Sequence, residues 1–351
     1  MKFLFLYAEV TGYLMGCLRA LGAQPQVSGI VVYQNLEQPQ NDFRVQDKRG
    51  IQFRSAIGRS VSELWAEMAH YQPDAVYVSG WMFPKYYQLA QKLRTQGAVL
   101  ILGSDTPWEG TFRQWLGTLS SPFWLSSLYE YMWVPGDSQY LFARRLGFEP
   151  KQIYKGLLSA DTAAFFPEEK PVEKPIQTLL SVGSFVPRKG MPALVEAFRN
   201  LQEEGLSGWE LHLVGGGPQK DLLEAGPGIR VTPFVQPDAI PEIFASAAVF
   251  ALASLREPWG VVVHEAAFAG LPLLLSGKVG AAADLLEEGK NGLLFNPHSP
   301  EDLSQKMAQL LTTPAARLAQ MGAHSRKLAQ KFSPERWAET FLQMAQRKPA
   351  S

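Results

Sequence analysis

The sequence predicts an α/β protein of two successive halves, each a mostly parallel sheet covered by helices. Three observations carry that prediction. Uninterrupted apolar runs such as Phe3–Tyr7, Val99–Leu102 and Val249–Ala253 have the look of strands buried on both faces. They alternate with segments of helical spacing, such as Val61, Leu64, Trp65 and Met68, which implies crossover connections and parallel strands. A composition break at Ala160–Gln177, with Pro167, Pro171 and Pro175 among Glu and Lys, has the stiff, solvated chemistry of a linker. The chain has 351 residues, long for one core and comfortable for two.

The first half reads in order. Phe3–Tyr7 is a strand, residues 8–12 a loop and Tyr13–Leu21 a helix. This opening is typical of a nucleotide-binding α/β half, although no G-x-G-x-x-G is present. Val61–Met68 forms a helix stripe, Ala75–Ser79 a strand, Tyr86–Thr95 a helix and Val99–Leu102 a strand. Trp108 to Trp133 is unusually aromatic. If exposed, those rings could stack on a sugar or dip into a membrane surface. The spacing of Phe112 and Trp115 on one helix face favours packing, so burial is the expectation. Tyr131–Val134, Ser138–Leu146 and Gln152–Tyr154 complete the half as strand, helix and strand.

The second half repeats the plan. Thr178–Val182 is a strand, Gly183–Gly190 a loop, and Leu194, Val195, Phe198 and Leu201 a helix stripe. Leu211–Val214 is a strand ending in Gly215-Gly216-Gly217-Pro218. The strands Val249–Ala253 and Leu271–Ser276 follow. In parallel sheets these post-strand loops converge on one edge, where ligands bind. At the tail, Ser333-Pro334 is an N-cap with Pro at the first helical position. Trp337, Phe341 and Met344 then make a stripe expected to pack back on the first half.

Composition narrows the function. Lys+Arg and Asp+Glu are both 33, so global charge makes no case for nucleic acid or strongly anionic lipid and leaves only a local patch. Cys17 is the single cysteine, which precludes an intrachain disulfide or a Cys-cluster metal site. The five histidines lack metal-ligand spacing. A reducing, cytoplasmic setting is expected. Met1–Val10 is too short and lacks the ending of a signal peptide. No apolar run is long enough to span a bilayer.

The chemistry concentrates in Ser254–Gly270, S-L-R-E-P-W-G-V-V-V-H-E-A-A-F-A-G. Pro258 and Gly260 break the chain before a helix starting near Val261. The free amides of its first turn favour an anion such as phosphate. Glu265 lies one turn deeper on the face of Val261, and Glu257 lies in the loop before. A ligand at the helix mouth would meet both carboxylates and the amides. The plainer alternative is a dipole-stabilising Glu265 and a solvated Glu257. The loop Val182–Gly190 combines glycines with Arg188 and Lys189, which fits phosphate or a solvated cationic turn. Asp105, just past Val99–Leu102, reads either as a cleft residue or as a turn or cap.

Together S-V-G-S-F-V-P-R-K-G, L-H-L-V-G-G-G-P, R-E-P-W-G-V-V-V-H-E-A-A-F-A-G-L-P and E-E-G-K-N-G-L-L-F resemble glycosyltransferase family four. The resemblance is strong from Thr178 to about Leu311 and weaker before residue 160. It implies the GT-B fold, two Rossmann-like domains facing each other across a cleft. Residues 1–160 would be the acceptor-side domain, 161–177 the linker and 178–332 the nucleotide-sugar domain, with helix 333–351 on the first. It implies retaining transfer from a UDP-, GDP- or ADP-sugar to a glycan, lipid or small-molecule acceptor, with no permanently bound cofactor and no required metal. Nucleic acid is not a partner on this reading, and peripheral membrane contact is open.

The resemblance also implies roles. Glu265 would accept from ribose hydroxyls and Glu257 from hydroxyls of the donor sugar. Arg188, Lys189 and the amides of Gly260, Val261 and Val262 would hold the diphosphate. Gly183, Ser184, Gly215 and Phe234, within Pro233–Val235, would surround the nucleotide. Gly12 marks the shortened opening loop Thr11-Gly12-Tyr13. Two departures stand out: Ser184 stands where many relatives carry an Arg, and no histidine occupies the first-domain loop that faces the donor sugar in many relatives, where Asp105 is nearest and would be the catalytic candidate. A sugar-nucleotide epimerase of GT-B type and a non-catalytic sugar-nucleotide binder are the alternatives. A glycoside hydrolase fits poorly, because its two carboxylates must flank one glycosidic bond.

Overall fold

The computed structural model describes residues 1–35, 50–161, 177–223, 226–236 and 239–346. Residues 162–176 of the expected linker and 347–351 of the expected tail helix lie outside these. The chain divides into two compact units, Met1–Asp161 with Phe332–Ser351, and Thr162–Lys331.

The first unit carries β1 (Lys2–Tyr7), β2 (Gly29–Gln34), β3 (Ile51–Ser55), β4 (Ala75–Ser79), β5 (Val99–Gly103), β6 (Tyr131–Val134) and β7 (Ile153–Lys155). Their order is β3-β2-β1-β4-β5-β6-β7, and every pairing is parallel. Helices α1 (Gly12–Gly22), α2 (Val61–Tyr71), α3 (Pro84–Thr95), α4 (Phe112–Trp124) and α5 (Asp137–Arg145) make the crossovers. Phe3, Leu4, Phe5 and Leu6 of β1 are fully buried, as continuous apolar runs in a doubly covered sheet must be. On one face Leu4, Leu6, Val76, Leu100 and Leu102 pack with Leu64, Met68, Leu89 and Phe142. Ser60 and Glu63 form a reciprocal capping box that starts α2.

The second unit carries β8 (Gln177–Val182), β9 (Trp209–Val214), β10 (Ile229–Thr232), β11 (Val249–Leu252), β12 (Leu273–Ser276) and β13 (Gly292–Phe295). Their order is β10-β9-β8-β11-β12-β13, again all parallel. Its helices are α6 (Met191–Glu203), α7 (Ile240–Ala245), α8 (Val261–Phe268), α9 (Ala282–Leu285), α10 (Pro300–Leu311) and α11 (Ala315–Ala329). Both sheets therefore share the order 3-2-1-4-5-6, the first with one strand added. The strand order of each sheet reverses beside its first strand, between β1 and β4 and between β8 and β11. That switch point is where a doubly wound sheet leaves a crevice at its carboxyl edge.

Helix α12 (Pro334–Gln346) belongs to the first unit. The Ser333 hydroxyl accepts from the Arg336 amide at 3.3 Å. Trp337 and Phe341 stack on Phe5 at 6.1 and 5.0 Å between ring centroids, and Trp337 lies 4.6 Å from Trp133. Its indole N–H donates to the Leu157 carbonyl at 2.7 Å. The stripe thus seals the sheet face opposite α2 and α3, with the polar edge of Trp337 satisfied.

One packing expectation is overturned. Phe112 and Trp115 do share a face of α4, but that face is open. Phe112 is 78% exposed, Trp115 52%, Leu116 52%, Leu119 70% and Phe123 85%. Helical spacing identifies a face and says nothing of whether a neighbour reaches it. Here α4 is held from its other side, through Trp124 against Tyr87 at 5.7 Å and through Ser121, whose hydroxyl donates to the Leu146 carbonyl at 2.9 Å.

Candidate active site

The carboxyl edge of the second sheet brings most of the sequence-predicted residues together. Strands β8 and β11 flank the switch point, and their loops are fastened by backbone. The Leu255 amide donates to the Arg188 carbonyl at 2.8 Å. A Cβ on Gly190 would fall 2.2 Å from the Ala253 carbonyl oxygen, so only glycine lets the loops approach this closely. Arg188 and Lys189 sit in a 3-10 turn, Pro187–Lys189, that leads into α6.

That fastening sets an ion pair. Lys189 is buried and its Nζ donates to Glu257 Oε2. The side chains are 11% and 10% exposed. Arg188 Nη1 lies 3.7 Å from the same oxygen, and the buried Ser254 hydroxyl donates to it at 3.4 Å. All three contacts fall on Oε2, which leaves Oε1 open as an acceptor among the described residues. One carboxylate facing two cations leaves a local surplus of positive charge. Glu257 is fixed from the far side too: its amide donates to the Lys278 carbonyl at 3.1 Å and its carbonyl accepts from Gly280 at 2.9 Å. The Ser276 hydroxyl donates to the Ser254 carbonyl.

Helix α8 opens onto this pair. Its N-cap Gly260 has φ 96°, no side chain caps the helix, and its first turn carries no acid. The amides of Gly260, Val261 and Val262 have no acceptor among the described residues, whereas Val263 donates back to the Gly260 carbonyl at 2.9 Å. An uncapped helix start with free amides favours an anion. A Cβ placed on Gly260 would lie 3.1 Å from Glu257 Cγ, so the helix mouth and the ion pair are neighbours. Glu265 is on the second turn, partly exposed.

The flanking loops complete this edge. Gly183 donates to the Val214 carbonyl at 2.9 Å, Gly215 to the Thr232 carbonyl at 2.9 Å and Phe185 to the Gly216 carbonyl at 2.7 Å. Ser184 is exposed, and Phe234, after β10, is 47% exposed. Of the histidines in this unit, His264 is buried in α8 with Nε2 2.9 Å from the Ala329 carbonyl. Burial pushes its imidazole down to about 4. It ties α8 to α11.

The first sheet's carboxyl edge holds the other two predicted residues. Gly12 starts α1 after β1, and Asp105 is exposed after β5, its carbonyl accepting from Gln139 Nε2 at 3.2 Å. The Asp105 charge is felt at Tyr13, whose hydroxyl is pushed up to about 12, mainly by burial. Tyr7 and Tyr77 stack there at 5.2 Å, their hydroxyls raised by burial. Sequence reasoning gave these tyrosines no role. It also missed Ser254 as a partner of Glu257, although a serine three residues before a glutamate is a readable pairing signal. Among the described residues no group of His, Cys, Asp and Glu could hold a metal ion, and no helix is long and apolar enough to cross a membrane.

Residues 162–328 match the family described as Glycosyl transferases group 1. The chain is 33% identical over 145 residues to the sulfoquinovosyl transferase of Arabidopsis thaliana, covering 40% of this chain and 27% of that protein. It is 28% identical over 220 residues to the D-inositol 3-phosphate glycosyltransferase of Rhodococcus opacus, covering 57% and 49%. The chain thus spans about a quarter to a half of these relatives' length. HepE of Anabaena, solved in complex with UDP, superposes with a TM-score of 0.76 at 16% identity over 98% of this chain and 99% of that one. The fold is of the GT-B type, two parallel-sheet α/β domains in one chain.

Proposed function

We propose that this GT-B chain is a retaining glycosyltransferase that moves a sugar from a nucleoside-diphosphate sugar to a glycan, lipid or small-molecule acceptor. The observation that carries the reading is the Lys189–Glu257 pair beneath the uncapped start of α8, at the switch point of the second sheet. The match of residues 162–328 and the UDP complex of a protein of the same fold support a UDP-, GDP- or ADP-sugar donor.

On this reading the diphosphate sits at the α8 amides with Arg188 and Lys189 on its oxygens. Glu257 holds Lys189 in place beforehand and offers Oε1 to a hydroxyl of the donor sugar. Glu265 accepts from the ribose hydroxyls, an acceptor-only task suited to a carboxylate. As the bond from the anomeric carbon to the phosphate oxygen lengthens, charge grows on the leaving diphosphate. Preorganised cations and amides meet that charge, each contributing on the order of 3 kcal/mol to the barrier. The acceptor oxygen bonds to the anomeric carbon on the face that the phosphate leaves, its proton passing to the departing phosphate, which retains configuration. Asp105 and the Gly12–Tyr13 turn serve the acceptor.

A thermal-shift screen with UDP, GDP, ADP and their sugars tests the donor class, since a native-state ligand raises apparent stability. One nucleoside diphosphate should stand out, and its sugar should give a product with the donor's anomeric configuration by NMR. A protein whose melting none of these moves would end the proposal. Unchanged nucleotide affinity in Glu265→Ala would refute the ribose role alone.

A further inference from the structure

The proposed reaction assigns no role to the open face of α4. Phe112, Trp115, Leu116, Leu119 and Phe123 recur at helical spacing along a thirteen-residue helix, all more than half exposed. Soluble surfaces carry such residues singly, not as a continuous stripe along one helix. The charges around the stripe are mostly positive. The only charged side chain in α4 is Arg113. Arg145 of α5 lies over the rings of Trp108 and Trp115, at 4.5 and 5.8 Å to their centroids. Arg144 adjoins it, its Nη1 donating to the Phe148 carbonyl at 2.7 Å. Glu109 is the only acid in the sequence from Thr106 to Tyr129.

We infer that α4 is an interfacial helix that seats the first unit on a bilayer bearing anionic headgroups. Large apolar side chains on one face, tryptophan at the rim and arginines beside it are the chemistry of a helix lying in the headgroup region. The arginine stems cover apolar surface while their heads reach lipid phosphates. A second copy of this chain would bring two such patches face to face about a two-fold axis, each with Arg113, Arg144 and Arg145 against the single acid Glu109. Charge complementarity therefore favours lipid over self-association. The neutral overall charge is no obstacle, because the attraction is local and screened within a Debye length.

The test is flotation of the full chain with vesicles of phosphatidylcholine alone and of phosphatidylcholine with phosphatidylglycerol. The anionic vesicles should carry the protein with them, and molar salt should weaken that binding. Phe112→Ser with Leu119→Ser and Phe123→Ser should lower partitioning by more than about tenfold, at unchanged melting temperature and nucleotide affinity. Arg113→Glu should lower binding to anionic vesicles only. Absence of flotation at low salt, or equal flotation of the triple variant, would overturn the inference. So would a wild-type dimer that the triple variant makes monomeric without any vesicle binding. Nucleotide affinity, read separately, keeps this outcome distinct from failure of the donor site.

Discussion

The two sheets share one strand order and present opposite chemistry at their carboxyl edges. Beside β8 and β11 stand two cations, a buried carboxylate and an uncapped helix start. Beside β1 and β4 stand stacked tyrosines and the Gly12–Tyr13 turn, with Asp105 close enough to be felt at Tyr13. One edge is built for an anion; the other is neutral to acidic and aromatic. The topology supplies a crevice in both units, and the loops decide what enters it. On the proposed reading, the nucleoside diphosphate goes to the second edge and the acceptor to the first.

The largest effect tests whether the first edge has its own support. Phe341→Ala removes a fully buried ring from between Phe3, Phe5 and Trp133. It should destabilise the first unit by about 3–5 kcal/mol, read as an earlier denaturant midpoint. A change under about 1 kcal/mol would mean that α12 is not what holds that sheet face.

Next comes the second edge itself. Lys189→Ala should lower transfer about a hundredfold to a thousandfold, since it removes a fixed donor to the leaving group. Arg188→Ala, half exposed, should cost less. Equal, small losses in both would remove the distinction between a preorganised cation and a solvated one.

Acid should separate the units. Burial lowers His264 from 6.5 to about 4, so the folded state favours the neutral ring while the unfolded chain takes up a proton. The stability this group contributes is complete above pH 6.5 and is lost as pH falls toward 4. That is about 3 kcal/mol at the limit. His212, buried in β9 and likewise pushed down to about 4, adds to the loss. Denaturant titrations should show the second unit weakening across that window and His264→Gln flattening the slope. A flat profile in the wild-type chain would contradict the burial argument. Smaller still, Asp105→Asn should reduce transfer by about tenfold with nucleotide affinity intact, the range of a single charged hydrogen bond.

The legible parts of the fold were those whose signal is local. Strands β1, β5, β8 and β11 are apolar runs buried on both sides, which no amphipathic helix imitates. Edge strand β3, I-Q-F-R-S, is half exposed and too short and mixed to declare itself. Two aromatic stripes show the limit most clearly. Trp337 and Phe341 of α12, and Phe112 and Trp115 of α4, obey the same spacing; the first pair is buried and the second open. Periodicity names a face, while its neighbour is decided by topology. The site divides in the same way. Glu257, Glu265 and the helix mouth lie in one readable stretch. The contact of Lys189 with Glu257 spans 68 residues and exists only because β8 and β11 are neighbours across the switch point.

The contrast between the two edges comes down to which one a nucleoside diphosphate needs. Calorimetric titration of the best-binding nucleotide into the wild-type chain, Lys189→Met and Asp105→Asn measures that directly. Lys189→Met should weaken binding by about tenfold or more, and Asp105→Asn should match the wild type. Wild-type affinity in Lys189→Met, or a larger loss in Asp105→Asn, would put the nucleotide at the wrong sheet and contradict the account.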